Sequence, residues 1–167
     1  MSWDLYLVPR EHAEDPGEWL ESIAESPADA AAARAQAEAV HALQPELEVG
    51  PEDEDGAVEL WTPEESGLPV QVWLDGRHAA INVAYWDLGD RTAELADLVH
   101  EIAATLAAAT GWAIYDPQED RVLGLDELRD AFAAGHAEGV AHVKQIVAET
   151  ERPRRRRFLG LFRAGRG

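Results

Sequence analysis

The sequence predicts an α+β fold, a ferredoxin-like sandwich whose mainly antiparallel sheet of four to five strands carries its helices mostly on one face. Three observations predict it. The first is the order of periodicities: a strand, two helices, three strands, a long helix, one or two strands, and a last long helix. The second is a hairpin signal, Asp75-Gly76, between two runs that alternate in polarity. The third is the long helix that crosses from that hairpin to a strand at Trp112.

The opening strand is read from Trp3, Leu5 and Leu7, which alternate with Asp4, Tyr6 and Val8 until Pro9 ends the run. Asp15-Pro16-Gly17-Glu18 fits a capping box, with Asp as the cap and Pro at the first helical position. Trp19, Leu20 and Ile23 should face inward from the short helix that follows. Ser26-Pro27-Ala28-Asp29 repeats the device and starts an Ala-rich helix that Pro45 ends. Alanine favours helix but supplies little area to bury.

Residues 44–56 read as an acidic loop. Asp53, Asp55 and Gly56 match part of a calcium-binding EF-hand loop, but its first and twelfth positions would be Pro51 and Thr62, which carry no carboxylate. The reading is therefore a solvated loop. Val58 and Leu60 mark the next strand.

The central hairpin pairs Val70, Val72 and Leu74 with Ile81, Val83 and Tyr85, and Arg77 and His78 complete its connection. Asp90 is placed to cap the next helix, whose stripe is Leu95, Leu98, Val99, Ile102 and Leu106 and whose end is Gly111. Trp112 and Ile114 lead to a turn at Asp116-Pro117, and Val122-Leu123 can pair briefly. The last helix runs from about Leu125 to Glu149. Gly135 and Gly139 lie on or beside its apolar stripe, where a missing side chain lets another backbone approach closely, either from the domain itself or across a homodimer seam.

Charge divides the chain in two. It has 33 acidic and 14 basic residues, for a net charge of −19. Every acid lies at or before Glu151, whereas seven arginines lie in residues 152–167, so residues 1–151 carry −26 and the tail +7. The division predicts one acidic domain, residues 1–151, and a basic, disordered tail. An acidic body repels phosphate backbones, so nucleic acid is not its expected partner; the charge either serves solubility, or mimics a polyanion or steers the body toward a basic protein partner. In the tail, Arg154, Arg155, Arg156 and Arg157 precede Phe158, Leu159, Leu161 and Phe162. Arginines beside Phe158, Leu161 and Phe162 make the pattern of a docking peptide for an anionic membrane surface. There is no cysteine, no apolar run of membrane-spanning length and no signal-peptide pattern. The expected compartment is the cytoplasm, with the membrane periphery as the second place.

No catalytic or cofactor motif stands out. HExxH, GxSxG, the Walker loop and GxGxxG are all missing, and the four serines are explained by a terminus, a cap or loops. The six histidines form no ligand spacing. No catalytic residue, metal or cofactor is expected. Asp87, Asp90 and Asp116 follow strand ends, and a hydrolase-like enzyme would need them on one rim.

The sheet face opposite the main core carries more information. Alternation places Asp4, Tyr6, Gln71, Trp73, Asn82, Ala84 and Trp86 there. Either the C-terminal helix covers this face or it stands open to a protein partner, with aromatic anchors. Tyr6, Trp73 and Trp86, with Asp116 and Gln118 in the turn after a strand, are the candidate partner-binding residues.

Met1-Ser2-Trp3-Asp4-Leu5 and Tyr115-Asp116-Pro117-Gln118 carry a resemblance. The chain resembles uncharacterised small bacterial α+β proteins that open with MSxDL and place a YDPQ segment after a long helix. Some of these are similar to immunity proteins, which neutralise secreted toxins. The resemblance covers two short stretches, implies no catalytic residues, and does not extend to the arginine-rich tail. The expected function is a non-catalytic protein-interaction domain, immunity-like, that binds a basic partner. The alternatives are a peripheral membrane adaptor docking through the tail and the hydrolase-like enzyme.

Overall fold

The computed structural model describes residues 2–151. The tail residues proposed for docking, Arg154 to Phe158, Leu161 and Phe162, lie outside the described residues.

Strand β1 spans Ser2–Val8, helix α1 Pro16–Ile23 and α2 Ala30–Leu43. Strands β2 Glu48–Val49, β3 Val58–Trp61, β4 Val70–Leu74 and β5 Ala79–Ala84 follow. Helix α3 Thr92–Thr110, strands β6 Ala113–Asp116 and β7 Arg121–Leu123, and helix α4 Leu125–Glu151 complete the described residues. Every strand pairs antiparallel, and the order across the sheet is β2-β3-β4-β5-β1-β6-β7.

The expected α+β class, antiparallel sheet and long C-terminal helix are present, but the sheet has seven strands, not four or five. The additions are edge pieces. Two residues of the acidic loop, Glu48 and Val49, pair with Trp61 and Leu60, which the sequence reading did not foresee, and Arg121–Leu123 pairs with β6 where a brief pairing of Val122-Leu123 was expected. A strand of two residues is too short to show a period in sequence.

The main core lies on one face. Trp3, Leu5 and Leu7 of β1 join Val70, Val72, Leu74, Ile81 and Val83 beneath α2, α3 and α4. Each strand presents alternate residues to this layer because successive side chains point to opposite faces. From α3 come Leu95, Val99, Ile102 and Leu106; α2 gives only Ala33, Ala37 and Val40 as apolar residues.

Helix α4 packs on the same face as α3. Phe132 meets Trp3 edge to face at 4.9 Å. Gly135 and Gly139 are where the approach is closest. A Cβ at Gly135 would stand 2.9 Å from Trp3 Nε1, and one at Gly139 would stand 2.0 Å from the ring of Tyr85. The glycines thus serve packing within the domain. Beyond His136 no described α4 residue is buried.

The second face is covered in part, and not by α4. It carries α1, whose Trp19 and Leu20 pack on Val8, Ala113, Tyr115 and Tyr6. Alternation gives each strand two faces but does not say which helix takes which.

Three caps differ from expectation. Asp15 occupies the cap of α1 without a side-chain hydrogen bond. Asp90 falls in a short 3-10 turn before α3, and Thr92 Oγ1 donates instead to the Gly89 carbonyl at 2.9 Å. The cap of α2 is Asp29, accepting from Ala32 N at 3.1 Å, and not Ser26, whereas Gly111 ends α3 at φ 75° as expected. Among the described residues no helix is long and apolar enough to cross a membrane.

Candidate functional site

The strand register builds a concavity on the second face. Trp73 stands opposite Ala80, Ala80 opposite Tyr6, and Tyr6 opposite Tyr115. One small residue in a row of rings makes a trough. Helix α1 stands over it, and Gly17 brings that helix close: a Cβ there would lie 3.6 Å from the Tyr115 hydroxyl. The acidic loop closes another side with Asp53, Asp55 and Ala57, and the β4–β5 turn supplies Asp75, Arg77 and His78. The concavity holds about 410 Å³, near the lower end of the range for small-ligand sites.

The turn residues form one hydrogen-bonded unit. The Asp75 side chain is fully buried. Its Oδ1 accepts from the backbone N–H groups of Arg77 and His78, both at 2.8 Å, and its Oδ2 accepts from an Arg77 guanidinium nitrogen at 2.6 Å. Burial alone would raise the Asp75 pKa. The hydrogen bonds and charge of His78, with the Arg77 backbone bond, override it and bring the value down to about 2. A carboxylate with that many donors stays ionised although buried.

Arg77 also holds the lid. Its guanidinium donates to the carbonyls of Ser26 at 2.8 Å and Ile23 at 3.4 Å, where α1 ends. The last carbonyls of a helix have no partner of their own, and a cation suits them. Gly76, at φ 83°, lets the turn pass under α2: a Cβ there would stand 2.3 Å from the Asp29 carbonyl.

His78 is the centre of the aromatic group. Its ring lies 5.1 Å from Trp73, 6.3 Å from Tyr6 and 6.2 Å from Trp19, between centroids. The residue is 9% exposed. Its Nδ1 sits 3.1 Å from Asp75 Oδ1, out of line for a good hydrogen bond. Its ring nitrogens have no other partner among the described residues.

Of the sequence-predicted residues, the structure brings Tyr6 and Trp73 together in this concavity. The other three lie elsewhere. Trp86 follows β5 and is 55% exposed. Asp116 is buried and serves its own turn, accepting from Gln118 N at 2.9 Å and Glu119 N at 3.4 Å; burial raises its pKa against those bonds. The Gln118 side chain accepts from Asp4 N at 3.4 Å. The neighbouring Tyr115 hydroxyl is pushed up to about 12 by burial and by its hydrogen bond to Asp120.

The strand-end carboxylates have separate partners. Asp87 pairs with Lys144 at 2.6 Å, Asp90 is exposed, and Asp116 is tied into its turn. Asp53 Oδ1 accepts from the N–H groups of Asp55 and Ala57, so that oxygen is used within the loop. Among the described residues no group of three His, Asp or Glu side chains gathers in a metal-holding arrangement.

The sequence reading missed Asp75 and His78 as site residues, taking them as turn chemistry. The available signal was parity: His78 shares the even register of Ala80 and Asn82, and so belongs to the face of Tyr6 and Trp73. No family model, no curated protein and no solved structure matches the chain.

Proposed function

We propose that the protein is a non-catalytic interaction module that binds a basic protein partner on the second face of its sheet. One observation carries the reading. The concavity lined by Tyr6, Trp73, Tyr115 and His78 has Asp53 and Asp55 at its edge, on a body of charge −26. Aromatic faces and nearby carboxylates favour a cation over an anion. The resemblance to immunity-like proteins in the opening strand and the Tyr115-to-Gln118 segment agrees with a role in binding. The inner order β4-β5-β1-β6, with α2 and α3 on one face, supports the ferredoxin-like reading, with β2, β3 and β7 as extensions.

The test is a calorimetric titration of the full chain with an arginine- and lysine-rich peptide and with an acidic peptide of equal length. The basic peptide is expected to bind, more weakly as salt rises. Trp73→Ala should lower its affinity about 30-fold, the scale of a hot-spot aromatic, with the circular dichroism spectrum unchanged. Equal affinity of the folded variant, or no preference for the basic peptide, overturns the proposal.

A further inference from the structure

The protonation of one buried side chain narrows the ligand. Asp75 is ionised and fully buried, and one of its oxygens faces His78 Nδ1 at 3.1 Å. Two lone pairs at that distance repel, so the proton of a neutral His78 ring belongs on Nδ1. The other nitrogen, Nε2, is then an acceptor. It belongs to a residue 91% buried, it lines the concavity, and no described residue donates to it. Unlike Nδ1, Nε2 is open to the concavity, so a ligand or a water there can supply its donor.

The surroundings say which donor fits. The charged and titratable groups around the space are Asp53 and Asp55 from the acidic loop, Asp75 and Arg77 from the turn, Tyr6 from β1 and Tyr115 from β6. Asp75 and Arg77 neutralise each other at 2.6 Å. The unmatched charge is therefore that of Asp53 and Asp55, and the walls are the rings of Trp73 and Tyr6. The donor must be cationic and flat enough to lie against a ring while pointing one N–H at a nitrogen acceptor. A guanidinium does all three at once. An ammonium is a compact, strongly hydrated point charge that gains less from an aromatic wall.

We infer that the concavity is a seat for a single arginine side chain of the partner, with His78 Nε2 accepting from its guanidinium, Trp73 or Tyr6 stacking on its plane, and the Asp53–Asp55 edge meeting its charge. The inference rests on the proposed binding of a basic partner and adds the choice of arginine over lysine. A volume of about 410 Å³ suits one long side chain and a few waters, not a folded segment.

The experiment uses the full chain and two peptides of identical length and charge, one with arginine and one with lysine as its only basic residue. Binding is followed by tryptophan fluorescence, and the His78 ring nitrogens by long-range nitrogen NMR at pH 8. The arginine peptide should bind at least tenfold more tightly and shift the Nε2 resonance of His78. His78→Phe keeps a ring but removes the acceptor, and should bring the two peptides to within about twofold. Equal affinities in the wild type, or an arginine peptide that binds without moving Nε2, overturn the arginine seat and leave basic-partner binding standing. Failure of both peptides to bind, together with failure of the longer basic peptide, overturns both.

Discussion

Asp75→Asn tests the turn that shapes the site. The substitution keeps the shape of the side chain and removes its charge from a fully buried position. Its magnitude follows from the pKa. Folding lowers the carboxyl from 3.8 to about 2, which is worth about 2.5 kcal/mol at ~1.4 kcal/mol per unit. Arg77, 24% exposed at its side chain, keeps some contact with water, so the cost of leaving it unpaired stays below the range for fully buried pairs. The variant should lose roughly 2–3 kcal/mol, a fall in Tm of about 5–10 °C for a domain of this size. The assay is thermal unfolding by circular dichroism from pH 7 to pH 2. The sign follows from the lowered value: the carboxylate's contribution is complete above about pH 4 and is lost as pH falls through about 2. Wild type and variant should therefore differ most at neutral pH and converge in acid. A Tm difference under 2 °C at pH 7, or one that persists unchanged at pH 2, would refute the assignment of Asp75 as an ionised buried anchor.

Gly139→Ala should destabilise the domain by ~1–3 kcal/mol in urea unfolding, since the new methyl meets the Tyr85 ring at 2.0 Å. Helix propensity alone would give ~1 kcal/mol in the other direction, so a more stable variant contradicts the packing of α4. His136 is 2% exposed, stacks on Phe132 at 5.4 Å, and has its Nε2 3.3 Å from the Ala84 carbonyl. Burial lowers its pKa, partly offset by that bond, so its contribution is complete above about pH 6.5 and declines as pH falls below it. Wild type should lose stability between pH 7 and pH 5, and His136→Phe should lose measurably less; parallel denaturation curves would remove His136 as the source.

Much of the frame could be read from residue patterns. The hairpin was visible because Val70, Val72 and Leu74 alternate up to Asp75-Gly76, and α3 because its stripe is unbroken from Leu95 to Leu106. The glycines of α4 announced close packing, and Trp3 and Tyr85 proved to be what they admit. Other features depend on tertiary partners that leave no local trace. Glu48 and Val49 become a strand only because Leu60 and Trp61 lie beside them. Tyr6 and Trp73 could be placed on one face by parity, but nothing local showed that Ala80 would open a trough between them. Asp75 and His78 carried turn residue types, and a turn needs Asp whether or not its carboxylate also anchors a histidine. Trp86 had the right residue type and lay outside the trough.

The position of β1 has a consequence for how the chain reaches this state. Leu7 pairs with Ala79 and Val8 with Ala113, so the first strand needs partners some 70 to 110 residues downstream on both of its sides. During synthesis it must therefore wait, with Trp3, Leu5 and Leu7 uncovered, until nearly the whole sheet has left the ribosome.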